Sequence, residues 1–332
     1  MKIYRLEKTG SIDGLVLSEE PAPEPGAGEV LVRIKATSLN FRDLSIITGA
    51  SPFPVEAGRV QLSDAAGVVE AVGFGVTRFA AGDRVVNNFM PGWYAGPFRE
   101  FAPMYGAQLD GWMAEYRAVD QNELVALPDS ISFEAAATLP CAAVTGWNAV
   151  AGVGPQHHVL TQGTGGVSLF ALQFAKTRGA TVIATTSSAE KAERLRALGA
   201  DHVINYVENP NWGEQARALT GGRGVDRVVE VGGPGTFSQS LKAIALSGQV
   251  SMVGVLSEGQ MPGYLDMFRT FARFQTIATG NRLDLEEVIT AVARNGIRPV
   301  MDSRFGFDEG RAAFEHFGNR NLFGKVVITD EA

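Results

Sequence analysis

The pattern of apolar and polar positions along the chain changes character near Pro128. Before that point apolar and polar residues alternate with a period of two, most clearly at 29–36 and 64–73. This alternation predicts strands with one buried face. After Pro128, short continuous apolar runs are separated by helical patterns, such as the run at 158–162 and the predicted helix over 167–176. Continuous runs are typical of a parallel sheet that helices cover on both faces.

The second part continues as a regular series of strands and helices. A further helix is predicted over 189–198, where Gly199 ends it. The five predicted strands lie at 158–162, 181–186, 202–206, 226–231 and 249–254. The series predicts a doubly wound α/β domain that follows a β-rich one.

A stretch late in the first part lacks either periodicity. Residues 87–109 are rich in proline, glycine and large aromatic side chains, among them Tyr94. Connections of this length are usually functional or mobile, so we expect this long loop to border a binding site.

Composition and charge narrow the class of protein. The 332 residues include 45% hydrophobic and 20% charged side chains, and the net charge is −7. An acidic chain without a basic run is a poor partner for nucleic acid or an anionic membrane. The most apolar long window, 131–153, is interrupted by Glu134, Pro140 and Asn148, so we expect a buried helix pair there. The amino terminus alternates like a strand and not like a leader, which favours a cytoplasmic protein without a membrane partner.

A glycine-rich turn follows the first predicted strand of the α/β part. It has the sequence Gly163-Thr164-Gly165-Gly166-Val167-Ser168 and opens a predicted helix. Glycines permit the tight turn and let a pyrophosphate approach the backbone, where the helix start presents free N–H groups. The turn therefore predicts a dinucleotide site, the alternative being a plain strand-to-helix connection.

The end of the next strand indicates which nicotinamide cofactor binds. An NAD site usually places an acid there, but this strand ends in Thr186, Ser187 and Ser188, and Lys191 follows in the first helical turn. A cation at a helix start is favourable if an anion lies beside it, and the 2′-phosphate of NADP(H) is such an anion. The alternative is a capping box of Ser187 with Glu190 and a solvated lysine.

Together these segments resemble the medium-chain dehydrogenase/reductase superfamily, in its zinc-independent, quinone oxidoreductase-like and alcohol dehydrogenase-like branch. The motifs that carry the resemblance span nearly the whole chain and lie at 38–43, 64–69, 82–85, 139–143, 163–168, 198–201 and 324–328. The resemblance implies a GroES-like β-barrel catalytic domain, residues 1–127 and 281–332, and an inserted Rossmann cofactor domain, residues 128–280. The strand at 325–329 would then rejoin the first domain.

The same resemblance bears on metal binding. Zinc-containing members hold their catalytic metal with side chains whose positions here carry Asn40, Ser63 and Cys141. An amide and a hydroxyl are poor zinc ligands, and one thiolate cannot hold the ion. We therefore expect no zinc, and Cys141 as a small buried apolar residue.

Without a metal, conjugate reduction is easier to support than oxidation of a simple alcohol. Hydride from NADPH would reach an enone or a quinone, and the developing enolate oxygen needs only hydrogen-bond donors. The resemblance implies Asn40 as that donor, with Arg42 and Asp43 beside it. Tyr94 would donate a proton or simply pack over the pocket.

Further cofactor contacts are implied by position in the family. Thr145 would face the nicotinamide, Tyr206 would border the adenosine phosphate, and Lys325 would reach the cofactor phosphates. Two strand ends would hold the rest of the cofactor with Val231, Gly232, Val253, Gly254 and Val255.

Two alternatives to the reductase stay open. One is an alcohol dehydrogenase-like enzyme acting on C–OH/C=O, and the other is a non-enzymatic NADPH-binding protein. For any of them we expect a homodimer that pairs the last sheet edge. Phe271, Phe274 and Ile277 supply apolar surface for such an interface, the alternative being that they pack in the core.

Overall fold

The computed structural model describes residues 1–319 and 321–330. The strands are β1 (Lys2–Leu6), β2 (Leu15–Glu19), β3 (Glu29–Ser38), β4 (Arg59–Val60), β5 (Asp64–Val72), β6 (Arg84–Asn87), β7 (Tyr116–Asp120), β8 (Leu124–Ala126), β9 (His158–Gln162), β10 (Thr181–Thr186), β11 (His202–Asn205), β12 (Val225–Glu230), β13 (Ile244–Met252), β14 (Arg273–Thr276), β15 (Met301–Gly306) and β16 (Lys325–Thr329).

The α-helices are α1 (Phe41–Ile47), α2 (Phe133–Ala137), α3 (Val144–Ala149), α4 (Gly166–Thr177), α5 (Ala189–Ala197), α6 (Trp212–Leu219), α7 (Pro234–Ala243), α8 (Tyr264–Phe268), α9 (Arg282–Asn295) and α10 (Gly310–Gly318). A π-helical turn, Leu139–Ala143, lies between α2 and α3. Within the described ranges, no helix is long and apolar enough to cross a membrane.

The chain divides into two compact units. The first comprises Met1–Val144 and Thr279–Ala332, and the second Thr145–Ala278. The first division lies later than the one that the sequence predicts after residue 127, because the segment containing α2 packs on β3 and β5. The buried Ser38 hydroxyl donates to the carbonyl of Ala137, at 2.8 Å.

Within residues 1–319 and 321–330, the first unit contains two sheets. A sheet of seven strands has the order β15-β16-β3-β5-β6-β8, with β7 also paired to β3, and a smaller sheet has the order β2-β1-β4. The late strand β16 runs antiparallel to β3 and pairs Val327 with Ser38. The sequence prediction that this strand rejoins the first domain is consistent with this pairing. Because β16 pairs with β3, residues from the early and late parts of the chain meet beside β3.

The second unit is built on one parallel sheet. Its six strands have the order β11-β10-β9-β12-β13-β14, and every neighbouring pair is parallel. The strands carry continuous apolar runs, and Leu160, Ile183 and Val228 are fully buried. The strand order reverses between β9 and β12, and ligands of such sheets bind at the carboxyl ends of the strands on either side of the reversal.

Candidate active site

A cluster of buried charged and polar side chains lies in the first unit, where β3 ends and β5 and β16 begin. Its members are Asn40, Asp43, Ser63, Asp64, Cys141 and Lys325. Cys141 is half-buried, and the other five are buried. Two carboxylates and an ammonium are costly to bury unless they compensate one another and are hydrogen-bonded, so the cluster is either a structural ion group or a functional one.

Local sequence explains how Asn40 enters the cluster. The chain leaves β3 and turns into α1, and Asn40 is the N-cap of that helix. Its backbone N–H donates to the Asp43 carboxylate at 2.8 Å, one half of a capping box. The cap thus directs both side chains into the interior from a single helical turn.

The Asn40 side chain is held from two sides. The Lys325 ammonium, at the first residue of β16, donates to Asn40 Oδ1 and to the carbonyl of Leu39, each at 2.5 Å. On the other side, Asn40 Nδ2 donates to Ser63 Oγ at 3.3 Å. The ammonium therefore fixes which end of the amide accepts and which end donates.

The two carboxylates have separate partners. Arg42 donates to Asp43 Oδ1 at 2.9 Å. Ser63 Oγ donates to Asp64 Oδ1 at 2.9 Å, and the Cys141 backbone N–H donates to Asp64 Oδ2 at 3.1 Å. Burial raises the pKa of Asp43 to about 6, although Arg42 opposes the shift.

Asp64 and Lys325 each oppose the shift that burial causes in the pKa of the other. Burial raises the pKa of Asp64, against the effect of the Lys325 ammonium. Burial likewise lowers the pKa of Lys325, against the effect of the Asp64 carboxylate. Each group therefore favours the charged form of the other, and we treat the two as a compensating pair.

Cys141 has the properties of an inert thiol. Burial and the nearby Asp64 charge raise the pKa of its thiol. A protonated thiol is a poor nucleophile and a poor metal ligand. In the part of the chain that the structure describes, no group of three or more His, Cys, Asp or Glu side chains is arranged to hold a metal ion.

Tyr94 has contacts that support the packing alternative. Its hydroxyl donates to Glu123 Oε1 at 2.9 Å, and the Arg282 guanidinium lies 5.0 Å from its ring centroid. Burial and the Glu123 hydrogen bond raise the pKa of this hydroxyl. A hydroxyl committed to a carboxylate is a weaker candidate proton donor, so Tyr94 anchors the long loop.

In the second unit, the glycine turn fits a dinucleotide pyrophosphate. Gly163 has a left-handed φ of +71°, and Gly165 is the N-cap of the twelve-residue helix α4. A Cβ atom added at either glycine would meet no atom within 4 Å, so the space beside the turn is open. The turn presents Thr164, Gly166 and Val167 at the helix start, whose N–H groups attract phosphate oxygens.

The serine that replaces the last glycine of the motif has a structural explanation. Ser168 Oγ donates to the carbonyl of Gln162 at 2.6 Å and is buried. The hydroxyl thereby ties α4 to the end of β9, a close approach that a glycine would otherwise permit. The departure from the motif leaves the turn intact.

The end of β10 carries the residues predicted for the adenosine side of the cofactor. Thr186 Oγ1 is buried and, among the described residues, has no hydrogen-bond partner. The alternative capping box of Ser187 with Glu190 is wrong, because the cap is Ser188, which accepts from the Lys191 backbone N–H at 3.2 Å. Tyr206 donates its backbone N–H to the carbonyl of Thr186 at 2.9 Å and remains exposed. An unpartnered buried hydroxyl beside a serine-capped helix suits a polar ligand.

Glu230 and Gln162 form hydrogen bonds where the strand order reverses, between β9 and β12, and neither was predicted from the sequence. The buried carboxylate of Glu230, at the end of β12, accepts from the backbone N–H groups of Gly232 and Gly233, each at 2.9 Å. It also accepts from Gln162 Nε2 at 2.8 Å, and Gln162 Oε1 accepts from the Val231 N–H at 3.2 Å. The detectable signal was an acid at the end of an apolar strand.

The end of the neighbouring strand β13 is hydrogen-bonded to Glu230 as well. The backbone N–H groups of Val253 and Gly254 donate to the Glu230 carbonyl at 2.8 and 3.3 Å, whereas Val255 is exposed. Thr145, also predicted at the cofactor, is buried in α3. The structure thus brings the two predicted strand ends together. Lys325 has contacts in the first unit that differ from its predicted phosphate contact.

Two features indicate the class of two-domain nicotinamide-dependent oxidoreductases. One is the discontinuous β-rich unit with its buried polar cluster, and the other is the six-stranded parallel sheet with its glycine turn. Residues 26–129 match the family described as alcohol dehydrogenase GroES-like domain, and residues 166–294 match the family described as zinc-binding dehydrogenase. The chain belongs to the medium-chain dehydrogenase/reductase superfamily and is an NAD(P)-dependent oxidoreductase. The fold class predicted from the sequence is confirmed.

Relatives of the chain carry several activities in their names. A zinc-type alcohol dehydrogenase-like protein of Schizosaccharomyces pombe is 40% identical over 97% of both chains. A quinone oxidoreductase of Pseudomonas aeruginosa is 32% identical over 93% of both. An acryloyl-coenzyme A reductase of Metallosphaera sedula is 29% identical over 96% of this chain and 98% of its own.

Solved structures agree in fold and differ in cofactor. An NAD-dependent alcohol dehydrogenase is 33% identical, with a TM-score of 0.92 over 99% of both chains. A mycobacterial protein complexed with NADPH is 28% identical, with a TM-score of 0.83, and the match covers 99% of this chain and 100% of the other.

Proposed function

We propose that the protein is an NADPH-dependent, zinc-independent reductase of quinones or α,β-unsaturated carbonyl compounds. The observation that carries the proposal is the side-chain amide of Asn40, held as a hydrogen-bond donor where zinc-containing relatives place a metal ligand. Of the five buried cluster members, Asn40 has the largest exposed fraction, 7%, while Asp43 and Asp64 have none. A substrate oxygen can therefore reach the amide more readily than the carboxylates.

The chemistry requires a donor and no metal. A bound nicotinamide cofactor would supply a hydride to the β-carbon of an enone or to a quinone ring, and solvent would supply the proton that completes the reduction. Asn40 Nδ2 stabilises the negative charge that develops on the substrate oxygen. Its contact with Ser63 is long, at 3.3 Å, and is therefore weaker than a well-formed hydrogen bond to a substrate oxygen.

Two residues of the second unit support NADPH over NADH. Thr186 offers an unpartnered buried hydroxyl within the described chain, and Lys191 lies in the first turn of α5. Since the solved relatives include an NAD-dependent and an NADPH-bound protein, the preference rests on these residues of this chain. No acid occupies the end of β10, where an NAD site usually has one.

An alcohol dehydrogenase-like activity on C–OH/C=O is the second candidate, favoured by the names of several relatives. Without a metal, alcohol oxidation needs a strong base to take the hydroxyl proton. Asp43 and Asp64 are both buried and hydrogen-bonded, which makes either a poor base for substrate. A panel of quinones, enones, aldehydes, ketones and alcohols, followed through NADPH absorbance, separates the two activities and also tests the non-enzymatic NADPH-binding alternative.

The purified protein is expected to contain no stoichiometric zinc, because the amide of Asn40 and the hydroxyl of Ser63 are poor zinc ligands and the one thiol of Cys141 cannot hold the ion. Incubation with a chelator should leave the rate and the Tm unchanged. Elemental analysis and thermal melting on one sample check both statements. About one zinc per chain, with activity lost on its removal, contradicts the proposal.

We also propose a cytoplasmic homodimer that pairs through the β14 edge, with a small molecule as its only other partner. Of the three interface residues predicted from the sequence, only Phe271 is exposed, at 66%. Ile277 is buried, and Phe274 stacks on Phe237 with ring centroids 5.9 Å apart, so both belong to the core of the second unit. The neighbouring helix α8 supplies further exposed apolar side chains at Tyr264, Leu265 and Phe268.

Phe268→Glu combined with Phe271→Glu is expected to convert the dimer to a monomer, because two charges would be buried at the interface. Light scattering at micromolar concentration measures the mass. Phe74→Glu, which alters a side chain 90% exposed in the first unit, is the matched control and should remain dimeric. A monomeric unaltered protein refutes the interface.

A further inference from the structure

Lys325 places the amine of its side chain where almost no solvent reaches it. Only 3% of its surface is exposed, and its ammonium donates to the carbonyl of Leu39 and to Asn40 Oδ1. Burial lowers the pKa of this ammonium, and the charges of Asp64 and Asp43 oppose that effect. A cation is costly to bury, and this one contacts Asn40, the residue that we place against the substrate. Packing alone does not explain its position.

We propose that Lys325 is a positioning residue that acts on the substrate through Asn40. This inference rests on the proposed function, in which Asn40 Nδ2 binds the substrate oxygen. The ammonium holds Asn40 Oδ1, so that the amide presents its Nδ2 end to the opposite side, where Ser63 lies.

The orientation follows from donor and acceptor chemistry. A side-chain amide can rotate by half a turn and exchange its C=O and NH₂ ends. An ammonium has three donors and no acceptor, so an NH₂ end turned toward Lys325 would place donor against donor. Only the observed orientation satisfies both groups. A neutral side chain at position 325 would leave the two orientations much closer in free energy.

The same contact also strengthens the donor. A charged donor on Oδ1 withdraws electron density from the amide, and hydrogen bonds in such a chain reinforce one another in a buried setting. Asn40 therefore stabilises a developing oxyanion better with Lys325 behind it than it would alone. The positive charge acts on the substrate without contacting it.

This assignment differs from the phosphate contact that the sequence predicts for Lys325. A lysine that binds a cofactor phosphate must direct its ammonium at the phosphate, whereas here the ammonium is committed to two oxygens of the first unit. The two roles predict different measurements. Loss of a phosphate contact weakens NADPH binding, and loss of a positioning contact lowers kcat.

The experiment compares Lys325→Met with Lys325→Arg, Asn40→Ala and Asn40→Ala/Lys325→Met. If Lys325→Met does not fold, Lys325→Met/Asp64→Asn takes its place, because that variant removes both members of the charge pair. Each variant is assayed for kcat and KM with the best quinone or enone and for NADPH affinity by fluorescence titration. The Asn40 side-chain amide is followed by NMR of protein labelled with ¹⁵N in asparagine, and Asn40→Ala identifies its signal by the loss of that signal.

We expect Lys325→Met to lower kcat about 10- to 100-fold with NADPH affinity unchanged, a fraction of the effect of losing an oxyanion donor. Lys325→Arg should restore part of the rate. In the Asn40→Ala background the lysine substitution should change kcat less than about threefold, because the two residues act as one unit. The Asn40 amide signal should shift in Lys325→Met.

Three results overturn the inference: an unchanged kcat in Lys325→Met, losses that multiply in the double variant, or weaker NADPH binding with an unchanged Asn40 signal. Failure of the proposed function is recognised separately, because the unaltered protein would then reduce no quinone or enone. In that case the NMR comparison still decides whether Lys325 orients Asn40.

Discussion

Asn40→Ala is expected to lower kcat for an enone or quinone about 10²- to 10³-fold, the usual cost of removing one donor from an oxyanion site. NADPH affinity should stay within about twofold, because the cofactor turn lies in other elements of the chain. Steady-state kinetics and fluorescence titration measure the two quantities. The variant also leaves the buried Lys325 ammonium without its Asn40 acceptor, so its Tm is recorded to separate a stability loss of about 1–3 kcal/mol from the kinetic effect.

Cys141→Ala is the matched control for this prediction. Cys141 belongs to the same cluster, but the raised pKa of its thiol makes it a poor nucleophile, and it does not enter the proposed chemistry. Its kcat should remain within about threefold of the unaltered protein. If Asn40→Ala keeps full activity, or if Cys141→Ala loses it, the chemistry does not depend on the Asn40 amide as proposed.

Lys191→Ala is expected to raise the Kd for NADPH about 10- to 100-fold and to leave the Kd for NADH nearly unchanged. The reason is one charge-assisted contact with the 2′-phosphate, typically about 1.5–3 kcal/mol. Titration of protein fluorescence with each cofactor gives both constants.

Lys242→Ala removes a comparable surface cation, paired with Glu214 on the same unit, and should change neither Kd. Equal affinity of the unaltered protein for NADPH and NADH argues against the cofactor assignment. A larger effect of Lys191→Ala on NADH than on NADPH argues against it as well.

Features encoded by neighbouring residues could be predicted from the sequence. The helix predicted over 167–176 is observed as Gly166–Thr177, and the helix predicted over 189–198 as Ala189–Ala197. Glycine turns, apolar runs and helix stops act within a few positions, so the series of strands and helices follows from them. The exact cap of α5 was missed because Ser187 and Ser188 are chemically alike and only the start of the helix selects between them.

Features that depend on residues distant in the chain could not be predicted in this way. The contact between Lys325 and Asn40 joins positions 285 residues apart. The sequence left open whether Ile277 lies in the core or at an interface, because a short apolar run does not reveal which side chains are covered, and the structure buries it. The contact of Glu230 with Gln162 likewise forms only when β9 and β12 align in the sheet.

The discontinuity of the first unit has a consequence for the order in which the protein acquires its structure during synthesis. The second unit lies within Thr145–Ala278 and has its own apolar core, so a ribosome releases everything that this unit needs before β16 exists. Until β16 emerges, Asp43 and Asp64 lack the ammonium of Lys325, and β3 lacks its partner along Ser38. The nascent chain can therefore fold the second unit, which contains the glycine turn, before the first unit, because the surroundings of Asn40 are complete only when β16 has been synthesised.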